Sequence, residues 1–187
     1  AARELRVFKG SISLKELLKR GEVKQQMDRL IGPMGHNREE DERYTFAVMG
    51  HSRLVTNGTQ LDDINNQPVV KDGVVGVHNG IIVNEEDLWS RHPEIRRTCE
   101  IDTEVMLSLI RKYRRDGWDI SAAASQTVNE IFGTVAAAFF LEDADSLVMM
   151  TNNGSLYALS NDKGLFAFAS EEYFLNELAK TMRLDRN

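Results

Sequence analysis

Three polar positions, each set beside an apolar run, carry side chains that could hold one small charged molecule between them. Arg53, in GHSRLVTNG, follows the run FAVMG. Its planar, permanently charged fork would emerge at a strand end, where it suits a carboxylate bound through two parallel hydrogen bonds. A surface or ion-paired arginine is the plainer alternative. Asn79-Gly80, in VGVHNGIIVN, is either a turn or an oxyanion hole. In the second case glycine admits a ligand close to the backbone N–H, and the Asn amide donates to developing negative charge. Asp102, in IDTEV, is either the N-cap of the next helix or a carboxylate for a ligand's ammonium. Taken together, the functional readings describe what is needed to hold an amino acid whose side-chain carbonyl is attacked.

Composition removes several other classes. The 187 residues are 42% hydrophobic and 28% charged, with a formal net charge of −6. That balance fits one globular domain with a sizeable core and argues against disorder or a nucleic-acid partner. No apolar run approaches membrane-spanning length; residues 135–141 read as a buried strand. The single cysteine, Cys99, excludes an internal disulfide, and the four histidines (His36, His51, His78 and His92) show no paired ligand spacing. No metal and no cofactor are expected. The N-terminal segment AARELRVFKG lacks a signal-peptide core, so a cytoplasmic setting is expected.

The elements that would position these residues follow from periodicity and turn chemistry. Residues 5–9 read as a strand. Ser13 reads as an N-cap with Glu16 at the capping-box position, followed by an amphipathic segment over 23–31. Residues 36–43 read as a charged loop. YTFAVMGHSR reads as a largely buried strand, and residues 56–66 as a turn-rich loop. Strands over 67–71 and 74–78 are joined at Asp72-Gly73, a tight-hairpin signal. Asn84 caps a short helix, and a longer one follows Asp102, with Val105, Leu109 and Tyr113 on one face, extended by Met106 and Ile110. The basic cluster Arg111, Lys112, Arg114 and Arg115 suits that helix's C-terminal dipole. A helix over 120–132, four apolar strands and a last helix over 171–182 complete the order. The expected class is α+β, with stacked antiparallel sheets between helical layers.

GHSRLVTNG, NNQP, VVGVHNGIIVN and IDTEV occur in that order and resemble the glutaminase domain of class II glutamine amidotransferases. The likeness is nearest to the amino-terminal domain of the glucosamine-6-phosphate synthases, whose segments read close to GHTRWATHG, NAHP, VVVHNGIIEN and TDTEV. It runs from about Arg6 to Glu172. The resemblance implies an N-terminal-nucleophile hydrolase fold, a four-layer αββα sandwich of antiparallel sheets, here lacking its first strand. It also implies hydrolysis of L-glutamine to glutamate and ammonia, with ammonia delivered to an acceptor in a synthase domain or subunit. By motif position, Arg53 and Thr56 would hold the α-carboxylate and Asp102 the α-ammonium. Asn79 and Gly80 would form the oxyanion hole. A homo-oligomer is compatible with this reading.

The family's nucleophile is an N-terminal cysteine whose own α-amine, titrating near ~7.7–8.0, serves as base. This sequence opens on Ala1, and Cys99 matches no nucleophile motif. The expectation is therefore a glutaminase-type domain over 1–187, truncated at both ends. The alternative is a catalytically inactive glutamine-binding or regulatory module of a larger assembly. Leu54 and Asn57 depart from the tryptophan and histidine of the glucosamine-6-phosphate synthases. Those departures bear on the acceptor and its coupling more than on glutamine.

Overall fold

The computed structural model describes residues 5–31, 46–52, 63–162 and 164–184. Its centre is the hairpin that Asp72-Gly73 signals. Both turn residues take positive φ, 48° and 78°, the twist that lets a two-residue turn match right-handed strands. The turn joins β1 (Val69–Lys71) to β2 (Val74–Ile82), with Val70 opposite Val75. β3 (Gly133–Leu141) pairs antiparallel along all of β2, and β4 (Leu147–Thr151) completes a sheet of order β1-β2-β3-β4. β5 (Tyr157–Ser160) and β6 (Phe166–Ala169) form a separate antiparallel pair.

Helices α3 (Glu85–Arg91), α4 (Thr103–Arg115) and α5 (Ile120–Glu130) follow β2 in the chain. α4 lies on β1 and β2, and α5 packs against α4 and β4. The core joins Val69, Val74, Ile82, Val135 and Phe139 of the sheet to Val105, Met106, Leu109 and Ile110 of α4. Each fully buried side chain of this size contributes about 1.5–3 kcal/mol. Every residue from Thr103 to Ile110 is buried, so the first two turns of α4 are enclosed all round, beyond the single face its periodicity predicts. A Cβ on Gly76 would come within 2.8 Å of Leu107; the bare backbone there lets α4 settle onto the sheet. At the other end of the chain, α6 (Glu172–Met182) packs on β5 and β6.

Local caps behave partly as read. The Ser13–Glu16 capping box forms and starts α1 (Leu14–Leu17), and α2 (Gly21–Ile31) covers the amphipathic segment. Asp119 caps α5 by accepting the N–H groups of Ser121 and Ala122, both at 2.9 Å. Asn84 does not cap α3 with its side chain. Its amide instead donates to Glu130 O and accepts from Phe132 N–H, both at 2.8 Å, and so ties α3 to the α5–β3 junction.

Several expectations are corrected. Residues 5–9 and 46–52 form no strand, and Val48 is 59% exposed; the apolar pattern is present, but no described neighbour supplies a ladder for it. The late strands are not uniformly enclosed. β3 is buried through its middle, whereas β5 and β6 keep Tyr157 and Phe166 exposed. The basic cluster of α4 is engaged in ion pairs as well as facing the helix end: Arg111 with Glu142 and Asp143, Lys112 with Asp116 and Glu94, Arg114 with Asp143. The charged loop over 36–43 lies outside the described residues, as does most of the loop over 56–66.

Candidate functional site

Asn79 and Gly80 lie within β2, not at its end. They pair with Ala136 and Val135 of β3, and the strand continues to Ile82. Neither residue makes a turn. Gly80 has φ of 146°, and a Cβ built there would stand 1.9 Å from Thr134 O. No side chain fits between these strands without moving them apart. The sequence therefore needs glycine at this point whatever chemistry follows.

Asp102 stands directly beside this strand, between Ile101 and the first residue of α4. Its backbone is already helical and its carboxylate caps nothing. Oδ2 instead accepts the Ile82 N–H at 2.8 Å, and Oδ1 lies 4.0 Å from His78 Nδ1. The residue is only 3% exposed. The plain N-cap reading of Asp102 is thus overturned: one oxygen steadies the strand two residues beyond Gly80, and the other faces the buried His78. Asp102 is thereby tied to His78 and Ile82, the residues of β2 on either side of Asn79-Gly80. Arg53 and Thr56 lie outside the described residues, as do Leu54 and Asn57.

His78 organises this neighbourhood from inside. Its Nε2 is 3.1 Å from Thr134 O, and its Nδ1 is 3.3 Å from Thr103 Oγ1. A carbonyl can only accept, so Nε2 carries the proton, and the neutral ring's Nδ1 accepts from the Thr103 hydroxyl. Burial lowers the His78 pKa below the ordinary histidine value, against opposing contributions from Asp102 and the Thr134 carbonyl. Both contacts are satisfied by the neutral form, which burial favours.

The NNQP motif acts as a brace. Gln67 accepts the His78 N–H at 2.6 Å and donates to His78 O at 2.8 Å, supplying an amide rung where β1 has not yet begun. Asn65 forms a similar two-way pair with Glu100, accepting its N–H at 2.8 Å and donating to Oε2 at 3.2 Å. The segment before Asp102 is held a second time by Glu104, fully buried in the first turn of α4. Its carboxylate accepts from the Thr98 N–H at 2.7 Å and the Cys99 N–H at 2.6 Å, and pairs with Lys71 Nζ at 2.8 Å. Cys99 is buried there, and burial raises its thiol pKa. It has the character of a packed side chain, opposite to that of an activated nucleophile.

On the other face of β2, His51 Nε2 lies 2.8 Å from Asn79 Oδ1. None of His51, His78, Gln67 or Lys71 was singled out as a site residue from the sequence. The available signal was position: His78 directly precedes Asn79, His51 opens the segment that ends on Arg53, and Gln67 belongs to a motif noted only for its resemblance. Among the described residues, no cluster of His, Cys, Asp and Glu has the arrangement of a metal site.

Antiparallel sheets carrying helices make this an α+β fold, and the solved structures that superpose on it assign it to the N-terminal-nucleophile hydrolase type. Two solved structures share that fold. The glutamine phosphoribosylpyrophosphate amidotransferase from B. subtilis superposes with a TM-score of 0.53 at 22% identity, over 67% of this chain and 28% of its own. An allosteric regulatory enzyme of purine biosynthesis gives 0.50 at 21% identity, over 62% and 26%. The profile of the glutamine amidotransferase domain matches residues 51–177. The chain belongs to this family.

Curated relatives agree. A glutamine–fructose-6-phosphate aminotransferase (isomerizing) of Rhizobium meliloti strain 1021 is 32% identical over 158 residues, 80% of this chain and 25% of the relative. That of Bradyrhizobium diazoefficiens is 30% identical over 155 residues, 78% of this chain and 25% of the relative. The chain thus spans about a quarter of the length of these relatives. Among the described residues, no helix is long and apolar enough to cross a membrane.

Proposed function

We propose that this domain binds L-glutamine and, in a protein whose N-terminus carries a cysteine, hydrolyses its side-chain amide to glutamate and ammonia. One observation carries the reading: in a member of the glutamine amidotransferase family, the Asp102 carboxylate at the start of α4 is anchored through the Ile82 N–H to β2, the strand that carries Asn79-Gly80. Asp102 Oδ1 accepts no hydrogen bond among the described residues and is the oxygen left for a ligand's ammonium. Arg53, assisted by Thr56, holds the α-carboxylate by motif position.

The chemistry then balances without a cofactor. The cysteine thiol loses its proton to its own α-amine, and the thiolate adds to the glutamine amide carbon. The Asn79 amide and the Gly80 N–H take up the charge that forms on oxygen. Collapse breaks the C–N bond, the α-ammonium returns its proton to the leaving nitrogen, and water hydrolyses the remaining thioester. Ammonia passes to an acceptor domain or subunit. A sugar phosphate is the acceptor class suggested by the relatives' names, and it leads to amino-sugar synthesis.

The deciding experiment is glutamine binding by calorimetry together with glutamate release, both on the full-length protein. Arg53→Ala is expected to raise the glutamine KM roughly tenfold or more with little change in kcat, since a charged two-pronged contact is lost. An unchanged KM removes Arg53 from the site. Binding without hydrolysis establishes the regulatory-module reading, and no binding at all overturns both.

A further inference from the structure

An oxyanion donor made from asparagine has a weakness that a backbone N–H lacks. Its amide can rotate by half a turn and present the carbonyl oxygen, which repels the charge it should stabilise. Something must fix the amide's direction. Asn79 Oδ1 lies 2.8 Å from His51 Nε2. An amide oxygen can only accept, so the ring nitrogen is the N–H donor in this contact. With Oδ1 held there, Nδ2 and its two protons point away from the imidazole. Among the described residues nothing else takes those protons up, and Asn79 is exposed. In this tautomer the opposite amide orientation would set NH2 against the same ring N–H and lose the bond.

We propose that His51 is a positioning residue that locks the Asn79 side chain with its NH2 group toward the substrate. It touches no reacting atom and acts only through Asn79. The proposal deepens the glutaminase reading and rests on it for its catalytic consequence, while the amide geometry stands independently. The network behind β2 does not supply this control, because His78 points to Thr103 and Thr134 and Gln67 holds only backbone atoms.

The test is a double-mutant cycle in the full-length protein, since coupled residues depart from additivity. His51→Phe keeps a flat ring and removes the donor. It is expected to lower kcat roughly 10- to 100-fold, below the ~10²–10³ for complete loss of such a donor, with the glutamine KM within about threefold. Added to Asn79→Ala, the same change is expected to cost nothing further. His51→Gln, which can donate from its own amide, is expected to recover part of the loss. Additive losses in the cycle, or an unchanged kcat in His51→Phe, overturn the proposal. If the wild-type protein releases no glutamate, the reaction reading falls. The amide geometry is then read from the Asn79 side-chain NH2 resonances in the wild type and in His51→Phe. A shift upholds the His51 contact, and identical resonances overturn it.

Discussion

The Lys71 ammonium lies 2.8 Å from the Glu104 carboxylate, with 6% and 0% of the two side chains exposed. Lys71 also donates to Thr98 Oγ1 at 3.2 Å, so β1, α4 and the loop before Asp102 meet at one charge pair. Removing one member leaves the other charge buried and uncompensated, which costs about 3–5 kcal/mol. Lys71→Met is therefore expected to lower the urea midpoint severely, and Lys71→Met with Glu104→Gln to recover part of the loss. A single variant as stable as the wild type would show that the pair is solvated.

The same carboxylate gives an acid limit. Burial raises the Glu104 pKa, but the bonds from Lys71, Thr98 and Cys99 outweigh it, and the group lies below its ordinary value of 4.5. A carboxylate held down in the folded state contributes stability that is fully present above the unfolded value. That contribution is lost as pH falls through the folded one. Denaturation followed against pH should show Glu104's share of the loss only below pH 4.5, seen as a shallower slope in that range for Glu104→Gln.

Gly80→Ala separates strain from chemistry. The residue combines a φ of 146° with a Cβ position 1.9 Å from Thr134 O, so alanine must both adopt an unfavourable backbone and push β3 away. Strain of this kind costs about 1–3 kcal/mol. Thermal unfolding is expected to shift down even without glutamine present. A wild-type melting point would mean that β2 and β3 can part freely here.

His78 should titrate below 6.5, the ordinary value, because burial disfavours the charged ring. The unfolded chain then binds the proton first, so stability is full above the unfolded value and falls as pH drops from there toward the folded pKa. Ring carbon shifts in NMR would locate the midpoint, and a midpoint above 6.5 would contradict the enclosed, neutral ring. The acid-side loss should be smaller in His78→Gln.

Much of this was legible before any coordinates. Asp72-Gly73 fixed a hairpin, Ser13 and Glu16 fixed a cap, and the apolar run of β3 announced a strand buried on both faces, because each rests on local backbone chemistry. Asn79-Gly80 stayed open between a turn and an oxyanion hole because the dipeptide has two uses, and the pairing with Ala136 and Val135 removes the turn. The capping role given to Asp102 failed for a related reason. Its local competition, the start of α4, lost to a partner twenty residues away at Ile82. His51, Gln67 and Lys71 were invisible as participants because their partners are distant in sequence, and periodicity carries no information about such pairs. For Arg53 and Thr56 the resemblance remains the sole guide.

Asp102→Asn tests the remaining piece of the proposed glutamine site with little structural damage. An asparagine oxygen can still accept the Ile82 N–H that Oδ2 accepts at 2.8 Å, so β2 keeps its anchor while the charge disappears. Glutamine affinity is expected to fall roughly tenfold or more, about 1.4 kcal/mol per tenfold step, because an ammonium loses a charged acceptor. An analogue lacking the α-amine makes no such contact and should bind both forms equally. Calorimetric titration of the two ligands into the two proteins gives the comparison directly. Equal losses for both ligands would return Asp102 to a purely structural role, holding Ile82 and facing His78, and would leave the α-ammonium to a different residue.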